Sequence, residues 1–117
     1  MKNNILFNSL NLVGTISSVP VFKKYDTYTE NGTVEVKEAY FRLDVAVDDA
    51  GTAFMSIPIT CNTDASTILW NCFKKDDRIL VEGKINGTFN TWNEDNENIT
   101  VIEILATDIR YPADYGL

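Results

Sequence analysis

The chain has 117 residues, a length typical of one domain that can bury a core of its own. Its net charge is −7, which argues against a broadly basic nucleic-acid-binding surface, so the positions of its ten basic residues matter more than their sum. It contains no His, which removes the commonest general base and metal ligand, and no apolar run approaches the ~20 residues of a membrane span.

The chain begins with MKNNILFNSLNLVG, in which a short apolar patch is interrupted by Asn and lacks the long apolar core of a secretory signal. The two cysteines, Cys61 and Cys72, are therefore expected to be reduced thiols in a cytoplasm. We expect a cytoplasmic protein with one domain, residues 1–117, in which a short apolar segment, residues 1–8, precedes the first strand.

The first elements are strands. In SLNLVGTISS, Leu10, Leu12 and Ile16 share one face of a period-two pattern, and Gly14 marks a bulge or bend. Two β-prone runs then surround Asn31-Gly32, the strongest short signal for a hairpin. A long hairpin is therefore predicted between the first and second strands.

The second and third strands alternate clearly. In YFRLDVAV the inward side chains are Phe41, Leu43, Val45 and Val47, and the outward ones are Tyr40, Arg42 and Asp44. In FMSIPIT the inward side chains are Met55, Ile57 and Ile59, and the outward ones are Phe54, Ser56 and Pro58. Each strand therefore offers one face to a core and one to solvent.

The period changes to that of a helix in NTDASTILWNCFKKDD. Its apolar face is made of Ala65, Ile68, Leu69, Cys72 and Phe73. Thr63 or Asp64 is expected to cap its start, and Lys74 and Lys75 suit its end. On the apolar face, Cys72 is expected to be structural.

Strand patterns return in RILVEGKI and ITVIEILATDI. The order is three strands with a long hairpin between the first two, one short helix, and two strands. This order predicts an all-β fold, a five-stranded Greek-key OB barrel with one short helix between strands three and four.

Catalytic and metal-binding patterns are missing from the sequence. It has no glycine-rich phosphate loop, nucleophile elbow or zinc spacing. Asp48-Asp49 and Asp76-Asp77 fall at turns, where adjacent carboxylates are usually solvated. We therefore predict that the protein is not an enzyme and has no catalytic residue, cofactor or metal.

Aromatic and basic residues remain as candidates for binding. They are Lys23, Lys24 and Tyr25 on the long hairpin, Tyr40 and Arg42 on the second strand, Phe54 on the third, and Lys84, Phe89 and Trp92 in the last hairpin. Rings displayed on an OB barrel can stack on unpaired bases, while nearby cations follow the phosphates. We expect Lys23, Lys24, Arg42 and Lys84 to line one local basic track. Each ring could instead pack under a loop or in a subunit interface, and for Trp70 a packing role is favoured.

Three stretches resemble bacterial and phage single-stranded DNA-binding proteins (SSB): NLVGTISSVP, YFRLDVAV and FKKDDRILVEGKI. The resemblance extends over residues 9–111. It implies stacking roles for Trp92, near the family's Trp in the hairpin between strands four and five, and for Phe54, near another at the start of strand three. It also implies a homotetramer, with a dimer as the alternative, for which Ile5-Leu6-Phe7 and the last hairpin are the candidate interfaces.

Cellular SSB proteins continue into a flexible segment with an acidic tip, whereas this chain ends at YPADYGL. The resemblance is therefore greater to a phage-encoded member, and replication or recombination proteins would be recruited by a route other than an acidic tail. The predicted function is to bind and protect single-stranded DNA without sequence specificity during replication or recombination. The alternative is an OB-fold adaptor that binds proteins of a replisome or primosome.

Overall fold

The computed structural model describes residues 8–92 and 94–115, with the backbone alone at residues 88, 89, 91, 114 and 115. The elements are β1 Leu10–Ile16, β2 Val21–Thr29, β3 Gly32–Ala46, β4 Phe54–Cys61, α1 Thr63–Cys72, β5 Arg78–Trp92, β6 Asn98–Arg110 and a final 3₁₀ turn, Pro112–Tyr115. The predicted helix thus lies between β4 and β5, and all the predicted strands form.

Five of the described strands close into a ring in the order β1-β5-β6-β4-β3, and β1 pairs back onto β3. The β4–β6 contact is parallel and the other pairings are antiparallel. A sixth strand, β2, extends the sheet beyond β3 as the outer strand of the long first hairpin. The predicted five-stranded barrel is therefore confirmed, and the hairpin adds a two-stranded ribbon to it.

Gly14 lies where the ring closes. Strand β1 pairs with β5 over Leu10–Thr15 and with β3 at Thr15 and Ile16, so both neighbours approach the same stretch. A Cβ atom at Gly14 would lie 2.3 Å from the Asp44 carbonyl oxygen. The lack of a side chain at Gly14 therefore allows β3 to approach β1 closely at the point where β1 pairs with both β3 and β5.

The core follows the predicted alternation along most of each strand. Phe41, Leu43 and Ile59 are buried, as expected. Val47 and Met55 were placed inward by the same pattern, but they are 58% and 56% exposed. The prediction is wrong for these two because Val47 follows the end of β3 and Met55 is the second residue of β4, at the open end of the barrel.

The helix is capped by a different residue from those predicted. Asn62 Oδ1 accepts a hydrogen bond from the Ala65 N–H at 2.9 Å, which identifies Asn62 as the N-cap. Thr63 is already the first helical residue, and Asp64 lies in the first turn. The prediction is wrong because Asn precedes both of them and is at least as good a cap as either.

The helix also ends earlier than the sequence suggests. Its last residue is Cys72, and the N–H of Phe73 donates to the Leu69 carbonyl. Lys74 and Lys75 therefore lie beyond the last turn. Cys72 is exposed, because the buried stripe runs through Ala65, Leu69 and Phe73 and leaves Cys72 at its edge, so its predicted place in the core is wrong.

The stretch between Ile85 and Ile99 is mostly strand rather than a polar loop. Strand β5 continues to Trp92, whose partner is Asn98 at the start of β6, so the connection spans residues 93–97. Register shifts follow Glu82 and Ile85, and Gly87 has φ 136°. Phe89 and Trp92 are therefore strand residues on a long β5–β6 arm that extends from the barrel.

Candidate nucleic-acid interface

The outward side chains of β3 and β4 form a continuous row, which we call the outer face. Its cross-strand pairs are Tyr40 with Thr60, Arg42 with Pro58, Asp44 with Ser56, and Ala46 with Phe54. Directly opposed residues of an antiparallel pair lie on the same side of the sheet. The outer face therefore brings together Tyr40, Arg42 and Phe54, three of the predicted site residues, and Phe54 is 62% exposed.

Arg42 is held in place at the centre of this face. Its Nε donates to Ser56 Oγ at 2.8 Å, and a terminal nitrogen donates to the Ser56 carbonyl oxygen at 3.1 Å. A guanidinium has five N–H donors, and these two bonds use two of them. The side chain is exposed, so the remaining donors can meet a phosphate without a search for the right rotamer.

Glu38 joins two tyrosines at the edge of the outer face. The hydroxyls of Tyr25 and Tyr40 donate to its two carboxylate oxygens, each at 2.6 Å. These bonds lower the pKa of Glu38, and they raise that of Tyr25 and raise that of Tyr40 to about 12. Lys23 Nζ lies 5.3 Å from the centre of the Tyr40 ring, within cation–π range.

The predicted basic residues divide between two faces. Lys23 pairs with Glu38 and lies on the outer face, whereas its neighbour Lys24 pairs with Lys37 on the opposite face of the β2–β3 ribbon. Lys24 Nζ is 3.3 Å from a carboxylate oxygen of Glu35. The structure therefore does not place Lys23 and Lys24 on one track, because adjacent residues of a strand point in opposite directions.

Lys84 of β5 lies beside the outer face, on the β6 side of β4. It pairs with Leu105 of β6, two residues from Glu103, and alternation puts all three on the same side. Glu103 lines a shallow hollow together with Tyr40 and Arg42. Cations and carboxylates are thus interspersed on this face, and its local charge is mixed rather than strongly basic.

Trp92 lies on the other side of the β5–β6 arm. Its partner Asn98 alternates in phase with Ile102 and the buried Ile104, whereas Glu103 is out of phase with them. The Trp92 ring is 65% exposed and Ile102 is 50% exposed. The backbone of Phe89 pairs with Val101, and the position of its side chain is outside the described part of the chain.

Two features of the surface were not expected from the sequence. Trp70, predicted to pack, is 69% exposed, and its ring meets Phe22 edge to face at 4.8 Å. Glu38 was also missed, although it precedes Tyr40 by two residues and so shares its face. The sequence did contain a signal for Glu38. Residues two apart in a strand point to the same side, so the Glu38 carboxylate lies within reach of the outward Tyr40.

Catalytic and metal chemistry finds little support in the described residues. No group of three or more acidic, Cys or His side chains in residues 8–92 and 94–115 is arranged to hold a metal ion. Burial raises the pKa of Cys61 to about 12, which keeps that thiol protonated and unreactive. Over the same residues, no helix has the length and apolar character needed to span a membrane.

Comparison with known proteins finds matches among solved structures. No family model matches the chain, and no curated protein matches it. A small single-stranded DNA-binding protein from Streptomyces coelicolor aligns with a TM-score of 0.62 and 21% identity, over 92% of this chain and 96% of that one. The chain has the OB fold.

Two further structures agree with this fold. The mitochondrial single-stranded DNA-binding protein Rim1 of S. cerevisiae aligns with a TM-score of 0.59 and 15% identity, over 92% of this chain and 97% of that one. The second single-stranded DNA-binding protein of Mycobacterium smegmatis aligns with a TM-score of 0.58 and 16% identity, over 95% of each chain. The similarity extends over nearly the whole length of all three proteins, so it concerns the fold as a whole and not one part of it.

Proposed function

We propose that this protein binds single-stranded DNA without sequence specificity and protects it during replication or recombination. The observation that carries the proposal is the outer face, where Tyr40 and Phe54 flank a fixed Arg42. The structural neighbours, all described as single-stranded DNA-binding proteins, support the same function. The protein acts by binding alone, without a catalytic step.

Stacking provides most of the binding energy in this proposal. The exposed ring of Phe54 and the ring of Tyr40 each offer a surface to a base, and one stacked base is worth about 1–3 kcal/mol. Every base has a π-face, so such contacts tolerate any sequence. In duplex DNA the bases are already stacked on one another, so these rings select unpaired strands.

Phosphate contacts come from Arg42, Lys23 and Lys84. Three carboxylates, Glu38, Asp44 and Glu103, lie among them, which limits the local positive potential. Non-specific binding that relies on charge alone is therefore weak on this face, and rings contribute more than they would on a basic protein.

The β5–β6 arm contributes a second set of contacts. We assign base stacking to Trp92, whose ring is exposed near the end of the arm, and the same role is proposed for Phe89. Tyr25 supports Tyr40 through Glu38 and extends the site along β2. We further propose assembly into a homotetramer, in which several barrels share one strand and gain avidity.

The deciding experiment is an anisotropy titration with fluorescently labelled oligo(dT), longer than the ~4–16 nucleotides that one OB fold covers. We expect saturable binding, with a duplex of equal length binding more weakly at the same salt concentration. No change in anisotropy with either probe would refute the proposal and favour the protein-binding adaptor.

A further inference from the structure

A groove of about 480 Å³ lies between the β2–β3 ribbon and helix α1, on the side of the ribbon away from the outer face. The ribbon contributes Phe22, Lys24 and Lys37 to its wall, and the helix contributes Trp70. Its volume is within the range of roughly 300–1,000 Å³ that small-molecule sites occupy. None of the functions argued above uses this groove.

Trp70 has the properties of a stacking platform. Its ring is 69% exposed, and it meets Phe22 at an interplanar angle of 88° with the centroids 4.8 Å apart. A perpendicular contact uses one face or edge of the indole and leaves the rest of its surface available. The indole is thus positioned by Phe22 and by the helix, and it remains open to a planar ligand.

The groove also has an excess of positive charge. Lys24 and Lys37 both approach the carboxylate of Glu35, with nitrogen–oxygen distances of 3.3 Å and 3.9 Å. The charged lining residues are Lys23, Lys24, Lys37 and Glu38, and together with Glu35 they carry a net charge of +1, in a protein whose net charge is −7. Exposed pairs of this kind are worth only about 0–1 kcal/mol, so an incoming anion can compete for either lysine.

The groove is continuous with the outer face at the base of the ribbon. Lys23 and Glu38 line the groove, and both also contact Tyr40 on the outer face. A DNA strand bound to Tyr40 can therefore continue into the groove past Lys23 and Glu38. This continuity favours the same nucleic-acid strand as occupant over a separate protein partner.

We propose that the groove is a second nucleotide site for single-stranded DNA, in which a base stacks on Trp70 and the adjoining phosphates lie beside Lys24 and Lys37. The inference rests on the proposed function, since it assigns a further part of the same strand's path. One strand then crosses the base of the β2–β3 ribbon, from the outer face to the helix side. The length of DNA covered by each subunit increases accordingly.

Fluorine NMR of protein labelled with 5-fluorotryptophan tests the site directly, because the chain has two tryptophans. A Trp70→Phe variant assigns the two resonances. Titration of the parent with oligo(dT) is expected to shift the Trp70 resonance. Trp70→Ala is expected to lower oligo(dT) affinity by about five- to 150-fold, the equivalent of one lost stacking contact, and to shorten the covered length.

The lysines give an independent measurement. Lys24→Gln is expected to reduce the slope of log affinity against log salt concentration by about 0.7, the value for one lost phosphate contact. Lys75→Gln is the matched control, since Lys75 is an exposed lysine that does not line the groove, and its slope should equal that of the parent. Thermal melting of each variant confirms that it folds.

Two results would overturn the inference while leaving the proposed function intact. The first is tight oligo(dT) binding with an unmoved Trp70 resonance and an unchanged affinity of Trp70→Ala. The second is a Trp70 resonance that responds to a short acidic peptide containing Phe but not to oligo(dT), which would assign the groove to a protein partner. If the parent binds no oligo(dT) by anisotropy, the proposed function fails as well.

Discussion

The carboxylate of Glu38 accepts a hydrogen bond of 2.6 Å from the hydroxyl of Tyr40, two residues away on the same face of β3. The second oxygen of the carboxylate accepts from Tyr25 on β2. Glu38 therefore orients both rings at the edge of the outer face, and it places a negative charge close to a surface proposed to meet phosphates.

This arrangement predicts a change in the titration of Tyr40. The Glu38 carboxylate stabilises the protonated phenol and raises the pKa of Tyr40 to about 12, so Glu38→Gln should bring that pKa back toward its usual value near 10.0. The measurement is the phenolate absorbance of the folded protein as pH rises. Tyr28→Phe is the control, since it removes an 84% exposed tyrosine and leaves both hydrogen bonds to Glu38 in place.

The hydrogen bond between Tyr40 and Glu38 also makes the free energy of unfolding depend on pH. Folding raises the pKa of Tyr40. The contribution of Tyr40 to the stability of the folded protein is therefore complete below pH 10.0 and is lost as pH rises toward about 12. Because the pKa of Glu38 is lowered, its stabilisation is present above pH 4.5 and is lost as pH falls through its folded value. Glu38→Gln should flatten both limbs, and unchanged limbs would contradict the assignment.

The rings provide the second prediction. Phe54→Ala should weaken oligo(dT) binding by about 1–3 kcal/mol, because it removes one stacking surface, and it should leave the melting temperature nearly unchanged because the ring is exposed. Met55→Ala is a closely matched control, since Met55 is the next residue, is similarly exposed and points to the opposite side of β4. Equal affinities of the two variants would exclude Phe54 from the site.

Salt dependence provides the third prediction. The three cations of the outer face, Lys23, Arg42 and Lys84, should give a slope of log affinity against log salt of about −2, at about −0.7 for each phosphate. Any phosphate contact in the groove adds to this value. Arg42→Gln should make the slope shallower by about 0.7. A slope several times steeper would require phosphate contacts that these residues cannot make.

Assembly provides the fourth prediction. Ile85 and Ile102 are exposed on the β5–β6 arm, and both lie on the side of it that the buried Ile104 shares, where a second subunit can cover them. Sedimentation should give about four times the chain mass of 13.2 kDa, and Ile102→Asp should reduce it. Ile99→Asp is the control, because Ile99 lies on the opposite side of the arm. The other candidate interface, Ile5-Leu6-Phe7, is outside the described residues.

The outer face could be predicted from the sequence because alternation in a strand is strictly local. Once YFRLDVAV and FMSIPIT are assigned as strands, Tyr40, Arg42 and Phe54 must point away from the core. The same rule separates Lys23 from Lys24, although their adjacency suggested one basic patch. Predictions failed at Val47 and Met55 because local alternation does not show where the barrel opens.

The β5–β6 arm and the groove could not be predicted in this way. The residues between Gly87 and Trp92 have the composition of a loop, and they form a strand because β6 pairs with them along their whole length. Pairing with a distant segment overrides local preference in a sheet. The contact between Phe22 and Trp70 likewise joins residues far apart in the sequence. The local pattern around Trp70 therefore could not show that its ring contacts Phe22.

The helix start provides the last prediction, and it separates stability from binding. Asn62 Oδ1 satisfies the Ala65 N–H, so Asn62→Ala should lower the free energy of unfolding by about 1 kcal/mol, as for other N-caps. Thr63→Ala is the control, because the Thr63 hydroxyl oxygen accepts a hydrogen bond of 3.4 Å from the Lys37 N–H and does not cap the helix. Urea denaturation measures both variants, and their oligo(dT) affinities should equal that of the parent because Asn62 is not on the outer face. A larger loss for Thr63→Ala than for Asn62→Ala would show that the helix begins with a different cap.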